Sequence, residues 1–253
     1  MILTPETGAL LFATGLCAGF VDSIAGGGGL IALPVLLSAG LPPQLALGTN
    51  KLQGTCGTLT ATINYIRKGE VRLKEALYGI GFTFIGAAAG AWAIQQMDGG
   101  FLKHLIPILL VLVFIYTVAT PKLGFSEKKP TLTTPVFYLV FGLILGFYDG
   151  FFGPGTGSFW TAAFLLLLGL NMTKAAGYTR VMNFTSNIVS LTVFIIGGNV
   201  WFAAGLCMGA GQIIGARAGS GLAIKKGAAF IRPVFITVVF LTIARLVYVN
   251  YVR

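Results

Sequence analysis

Four charged residues stand within otherwise apolar stretches of the chain, where a charge is costly. Asp22 and Asp149 each come near the end of one such stretch, and Lys51 and Arg180 each lie eight or nine residues inside another. A Lys or Arg at the centre of a membrane costs ~2.5–3.5 kcal/mol on insertion scales, so each cation needs a partner or an aqueous cavity. Two cations facing one axis would attract an anion, and carboxylates at this depth are candidate proton carriers. The alternative is that the cations only neutralise Asp22 and Asp149 as structural pairs.

A glycine-rich segment directly follows each of the two aspartates. Ser23–Gly29 and Gly150–Gly157 interrupt the apolar sequence, and helix-breaking sequence at membrane depth is tolerated only where it is buried in protein or lines a cavity. Each break should end one helix and begin another, whose first amide groups and positive dipole end point into the protein interior. Glycine lets an anion approach those amides because it has no Cβ. The alternative is that these glycines only allow tight helix packing.

Neutral polar side chains accompany both cations. Arg180, Asn183 and Asn187 follow i, i+3, i+7 spacing and share one helical face. Such a stripe either binds a polar solute or holds helices together. The residues predicted to bind a substrate are Gly26, Gly27, Gly28, Gly29, Asn50, Lys51, Gln53, Gly153, Gly155, Thr156, Gly157, Arg180, Asn183 and Asn187, and the residues predicted to serve in proton coupling are Asp22 and Asp149. The sequence has no H-E-x-x-H, nucleophile-elbow or phosphate-loop motif, so we expect no enzyme, no cofactor and no metal site.

The chain that positions these residues is too apolar for a water-soluble protein. Of its 253 residues, 56% are hydrophobic and 9% charged, whereas an ordinary soluble domain is roughly 25% charged. This composition predicts a polytopic membrane protein. The net charge of +10 does not indicate a nucleic-acid partner, because the basic residues fall in short clusters between apolar runs and not on one face.

The sequence repeats itself. Gly19–Asp22 recurs 127 positions later as Gly146–Asp149, and Lys51 precedes Arg180 by 129 positions. We predict two copies of one membrane unit of roughly 125 residues. Their bounds are 1–120 and 132–253, with a cytoplasmic connecting loop at 121–131.

A second match between the copies involves glycines spaced for helix packing. Gly86–Gly90 falls on Gly215–Gly219 at the offset of 129. Small residues four apart are typical of close contacts between membrane helices. We interpret these glycines as packing residues.

Five apolar segments can be identified in each copy. They are Thr7–Ser23, Leu30–Ala39, Pro43–Ile66, Leu73–Met97 and Phe101–Ala119, then Pro135–Tyr148, Phe159–Leu170, Met172–Ile196, Trp201–Leu222 and Phe230–Val249. The first two of each copy are too short, or too interrupted by glycine, to be two ordinary spans of ~20 residues. The predicted fold is therefore all-α, with each copy a broken helix hairpin followed by three transmembrane helices.

Basic residues are distributed unevenly over the loops that this arrangement implies. With the loop at residues 67–74 in the cytoplasm, its neutral counterpart, Gly197–Val200, lies outside. The same count places twelve basic residues inside, and Lys103, Arg245 and Arg253 outside, so the positive-inside rule favours inverted repeats. The twelve are Arg67, Lys68, Arg72, Lys74, Lys122, Lys128, Lys129, Lys174, Arg217, Lys225, Lys226 and Arg232. Paired broken helices in inverted repeats are a recurring transporter design with the substrate at the midplane.

Three stretches carry a resemblance to a known family. Gly19–Pro34, Ala46–Lys51 and Gly146–Gly157 resemble the TauE/SafE family of sulfite exporters and related permeases, and the similarity covers nearly the whole chain. The resemblance implies a secondary transporter in a bacterial or archaeal inner membrane, with a sulfur-containing anion such as sulfite, thiosulfate or an organosulfonate as substrate. An anion channel and a transporter of a different small solute are the alternatives. Transport direction, the coupling ion and oligomeric state stay open.

Overall fold

A computed structural model describes residues 3–102, 104–106, 108–109, 112, 129–227, 230 and 233. Eight helices span most of these residues: α1 Pro5–Ala25, α2 Gly28–Ser38, α3 Pro43–Arg67, α4 Leu73–Gln95, α5 Thr134–Phe151, α6 Thr156–Leu167, α7 Met172–Ile196 and α8 Phe202–Lys226. Residues 99–102 and 104–106 are also helical, and no strand occurs within the described ranges. The all-α prediction is confirmed for this part of the chain.

The helix before each break is longer than the sequence analysis predicts. α1 has 21 residues and α5 has 18, and both are long and apolar enough to cross a membrane, as are α4 and α7. α1 begins two residues before its apolar segment, with Pro5 in its first turn, where proline is pre-organised for a helix. α5 instead gains most of its added length at its C-terminal end, where it continues to Phe151. Only α2 and α6 are short, with 11 and 12 residues. α3 and α8 each have 25 residues but fall short of the apolar composition of the other four.

Both breaks use glycine in a left-handed backbone conformation. Gly26, with φ 85°, follows α1, and its N–H donates to the main-chain oxygen of Asp22. Gly153 and Gly155, with φ 97° and 84°, lie between α5 and α6. Residues with a Cβ rarely adopt these angles, so the chain reverses at both breaks where the sequence has glycine.

The two halves pack through their glycine-rich helices, α1 along α8 and α4 along α5. A Cβ on Gly90 would lie 2.1 Å from the main-chain oxygen of Phe147, and a Cβ on Gly215 would lie 2.1 Å from that of Leu16. Gly86 and Gly219 meet backbone in the same way. These helices approach too closely for any larger residue, so the packing interpretation of the four glycines is confirmed.

Helix directions follow from the residues that face one another along each contact. α1, α3 and α8 run in one direction, and α4, α5 and α7 run in the opposite one. The facing pairs are Gly15–Met208 and Gly19–Gln212 for α1 and α8, Gly57–Gln212 and Asn64–Ser220 for α3 and α8, Gly54–Asn187 and Gly177–Tyr65 for α3 and α7, Thr83–Met182 and Gln95–Val193 for α4 and α7, and Gly79–Tyr138 and Gly90–Phe147 for α4 and α5.

These directions bring eight of the described basic residues to one end of the bundle. The end of α3, the loop to α4, the starts of α5 and α7 and the end of α8 lie together, with Arg67, Lys68, Arg72, Lys74, Lys129, Lys174, Lys225 and Lys226. The neutral loop at 197–200 lies at the opposite end, where Asn199 faces Gly48. Arg217 is exposed on α8, nine residues before Lys226 and therefore ~13 Å short of the basic end.

Several predictions concern residues beyond the described ranges. These are most of the fifth segment of each copy, Phe101–Ala119 and Phe230–Val249, and most of the connecting loop 121–131. The same holds for six of the assigned basic residues, Lys103, Lys122, Lys128, Arg232, Arg245 and Arg253.

Candidate functional site

Two ion pairs connect the halves of the protein. Lys51 Nζ lies 2.8 Å from Asp149 Oδ1 and also donates to the main-chain oxygen of Asp149. Arg180 Nη1 lies 3.6 Å from Asp22 Oδ1 and donates to the main-chain oxygen of Asp22. Each pair therefore joins the cation of one half to the carboxylate of the other. In this conformation the cations are paired with the aspartates, as in the alternative given in the sequence analysis.

The broken helices explain why the cations lie where they do. A helix leaves its last carbonyl groups without intrahelical partners, and its C-terminal end carries partial negative charge that favours a cation. Asp149 lies in the last turn of α5 and Asp22 in the last turn of α1. Each cation thus binds the carbonyl end of the helix before the break, together with the carboxylate there. Sequence reasoning kept pairing of the cations with the two carboxylates as an alternative, but it did not anticipate the contact with the main-chain oxygens of the aspartates.

The two pairs differ in burial and geometry. The side chains of Lys51 and Asp149 are 1% and 5% exposed, whereas those of Arg180 and Asp22 are 0% and 14% exposed. Asp22 Oδ1 also accepts a hydrogen bond of 3.1 Å from the N–H of Gly28, in the first turn of α2. Arg180 Nη2 is buried and has no hydrogen-bond partner among the described residues.

A small polar cavity lies between the two breaks and helices α3 and α7. It is lined by Asp22, Gly26, Gly28, Gly29, Asn50, Lys51, Gln53, Gly54, Asp149, Gly153, Gly155, Gly157, Asn183, Asn187 and Gln212. Thirteen of the sixteen predicted site residues are among them. Its volume of about 30 Å³ accommodates roughly two water molecules at ~10–15 Å³ each, so it is smaller than a polyatomic anion in this conformation.

Gln212 and Gly54 line the cavity but were missed by sequence reasoning. Gln212 Nε2 donates to Gln53 Oε1, and Gln53 Nε2 donates to Asn50 Oδ1 at 2.8 Å, which makes a chain of three buried amides. The signal for Gln212 was its position as a single amide in the glycine-rich apolar run of α8. Gly54 carries no such signal, since it lines the cavity only because α3 passes Asn187 closely.

Comparison with known proteins assigns the chain to a family. The family described as "Sulfite exporter TauE/SafE" matches residues 11–246, which include both breaks and both ion pairs. The chain belongs to the TauE/SafE family. A "Probable membrane transporter protein" of Haemophilus influenzae is 45% identical to this TauE/SafE protein over 95% of the chain and 94% of the relative. "Probable membrane transporter protein YfcA" of Escherichia coli strain K12 is 42% identical over 98% of the chain and 92% of the relative. "Probable membrane transporter protein ORF9" of a Sinorhizobium species is 44% identical over 91% and 88%.

No solved structure matches this TauE/SafE protein. Family membership and the four apolar helices make the chain a multi-pass membrane protein with transporter relatives. The resemblance stated on the basis of the break motifs is confirmed.

Three predicted site residues of the TauE/SafE protein do not line the cavity. Thr156 donates its hydroxyl to the main-chain oxygen of Gly153 at 2.6 Å, so it closes the turn of its own break. Gly27 precedes the first residue of α2. Arg180 lies behind the glycines, with Nη2 2.9 Å from where a Cβ on Gly26 would stand. A Cβ there would also lie 2.5 Å from the Cα of Gly157, so the two breaks touch through their backbones.

Proposed function

We propose that this TauE/SafE protein is a secondary transporter that moves a sulfur-containing anion, such as sulfite, thiosulfate or an organosulfonate, across a bacterial inner membrane. The observation that carries the proposal is the polar cavity where Lys51 and the two glycine breaks meet. A cation at this depth attracts an anion, and glycines permit its close approach to main-chain amides. The family and the names of the relatives support a membrane transporter, and we propose transport and not catalysis as the activity.

We propose further that residues 1–120 and 132–253 are inverted repeats. The support comes from helix directions, since α1, α3 and α4 run opposite to their sequence counterparts α5, α7 and α8. The clustering of described basic residues at one end of the bundle is consistent with that end facing the cytoplasm. Inverted repeats around a midplane site can open that site to either side by rocking of one repeat against the other.

The small volume of the cavity supports a carrier and not an open pore. Two ion pairs hold the described residues around it together, and about 30 Å³ of space is left between them. The charges of the two pairs cancel, so an anion gains a net attraction only when a carboxylate takes up a proton or leaves its cation. This balance supports the proposed proton coupling through Asp22 or Asp149.

Transport assays in proteoliposomes test the site. Radiolabelled sulfite, thiosulfate and an organosulfonate would be offered to the parent protein, to Lys51→Ala and to Arg180→Ala. We expect flux in the parent and at least tenfold less in both variants, because each substitution removes a cation and leaves a buried carboxylate unpaired. Lys68→Ala is the matched control, because Lys68 is exposed at the end of α3, and its flux should equal that of the parent. Undiminished flux in both site variants, or no flux of any tested anion in the parent, would refute the proposal.

A further inference from the structure

Asp22 and Asp149 hold equivalent positions in the two halves, but only one of them is firmly tied to its cation. Asp149 Oδ1 is 2.8 Å from Lys51 Nζ in a nearly inaccessible site. Asp22 Oδ1 is 3.6 Å from Arg180 Nη1, its side chain is 14% exposed, and its closer contact is the Gly28 amide at 3.1 Å. The Asp22 carboxylate thus occupies the amide end of α2, which sequence analysis assigns to the substrate.

Arg180 does not depend on the Asp22 carboxylate for its position. Its Nε donates to the main-chain oxygen of Ala176 at 3.3 Å, and its Nη1 donates to the main-chain oxygen of Asp22. Both acceptors remain when the Asp22 side chain is neutral. Nη2 is a buried donor without a described partner, beside the glycine contact of the two breaks. Neutralising Asp22 therefore leaves a fixed guanidinium with a free donor and a net positive charge.

We propose that the Asp22 carboxylate is an internal anion that holds the place of the substrate, and that the substrate binds with a proton on Asp22 while Asp149 stays paired with Lys51. This inference rests on the proposed function and assigns its coupling residue. It also accounts for the volume of the cavity, since a sulfur oxyanion needs more space than two waters and the Asp22 side chain, once neutral, has no charge to hold it at α2. The expected substrate class is an ionised sulfur oxyanion that is moved together with one proton.

The other charged and titratable groups around Asp22 are fixed. Arg180 on α7 and Lys51 on α3 are cations, and Asp149 on α5 is held by Lys51. Tyr65 on α3 donates its hydroxyl to the main-chain oxygen of Ser23. The sequences of α2 and α6 contain no ionisable group, and α8 presents the neutral Gln212 to the cavity. Asp22 is thus the carboxylate of the cavity that can change charge without breaking a short ion pair.

Binding of thiosulfate and of methanesulfonate to the purified, detergent-solubilised protein tests this inference, because neither anion changes its own charge between about pH 5 and about pH 8. Isothermal titration calorimetry on the parent should give a Kd that tightens as the pH falls, by up to about tenfold per pH unit when one proton is bound with the anion. Titrations in buffers of different ionisation enthalpy should show uptake of close to one proton per anion. This second measurement needs no variant.

The variants separate the two aspartates. In Asp22→Asn, binding at about pH 8 should be at least as tight as in the parent at about pH 5, with no pH dependence and no proton uptake. Asp149→Asn should retain the pH dependence and the proton uptake, and the exposed Glu6→Gln should behave as the parent. If Asp22→Asn does not fold, Asp22→Ser carries the same expectation. Proton uptake that persists in the Asp22 variant, or that disappears in Asp149→Asn, overturns this inference alone, whereas absence of anion binding to the parent at every pH overturns the proposed function as well.

Discussion

Replacing Lys51 by Met should destabilise the protein strongly, because it leaves Asp149 buried without its cation. Removing one partner of a buried ion pair costs about 3–5 kcal/mol, and both side chains here are almost inaccessible, at 1% and 5% exposed. A second route gives the same magnitude. Asp149 can instead become neutral by taking up a proton. For an aspartate with the ordinary pKa of about 3.9, protonation at pH 7 costs about 4 kcal/mol of free energy.

That second route makes the destabilisation depend on pH in a definite direction. The cost of protonating Asp149 falls by about 1.4 kcal/mol per pH unit on acidification, so Lys51→Met should be about 3 kcal/mol less destabilised at pH 5 than at pH 7. The free energy of unfolding of Lys51→Met is therefore higher at low pH and decreases as the pH rises. The parent, in which the pair is intact, should show a much shallower change over the same range.

Equilibrium unfolding in mixed micelles, followed by tryptophan fluorescence, measures these differences; Trp160 is fully buried and reports on the core. Lys51→Met combined with Asp149→Leu should recover most of the loss, since replacing a whole buried ion pair by apolar residues is often neutral. The control Lys68→Met changes an exposed lysine and should stay within about 0.5 kcal/mol of the parent. A loss below about 1 kcal/mol in Lys51→Met, or a double variant no more stable than the single one, would refute the reasoning.

Two further predictions concern helix packing and the amide chain. Gly90→Ala would place a Cβ 2.1 Å from the main-chain oxygen of Phe147, so α4 and α5 would separate at a cost of about 1–3 kcal/mol; thermal unfolding checks this against Gly81→Ala, where no atom lies within 4 Å and a small gain from helix propensity is expected. Gln53→Met combined with Gln212→Thr installs the residues found at the equivalent positions of the other half. We expect this variant to fold and to bind thiosulfate at least tenfold more weakly in calorimetry, and an unchanged Kd would show that the amides serve only packing.

The positions of the breaks and of the central charges could be predicted from sequence because their physical cause is local. Glycine in a left-handed conformation ends α1 at Gly26 regardless of what packs against it. A cation eight residues inside a long apolar helix lies ~12 Å deep by helix geometry alone. Because both causes are local, thirteen of the site residues predicted from sequence line one cavity.

What the sequence could not provide depends on contacts between distant segments. The pairing of Lys51 with the carbonyl end of α5 joins residues 98 positions apart, and Gln212 reaches Gln53 across 159 positions. No local pattern encodes either contact. The first requires the end of α5 to lie against α3, and the second requires α8 to pack along α3. The start of α1 before the predicted apolar segment has a different cause. Thr4 caps the helix, and this capping residue is polar and lies outside the apolar segment.

The two halves share a backbone plan but not the same polar groups, and this difference bears on transport. Gln53 and Gln212 occupy the positions that Met182 and Thr83 occupy in the other half, and Thr83 Oγ1 contacts Met182 Sδ at 3.5 Å where the two glutamines hydrogen-bond. If the halves exchange conformations during transport, as the proposed inverted repeats imply, the inward-open and outward-open states place different side chains in equivalent surroundings. Their free energies then differ, because a buried amide without its partner costs about 1–3 kcal/mol whereas a thioether does not. The loosely held pair, Arg180 and Asp22, and the tightly held pair, Lys51 and Asp149, add to this inequality. We expect broken symmetry of this kind to give the resting protein one preferred state, and under the proposed coupling a proton together with an anion supplies the free energy to leave it.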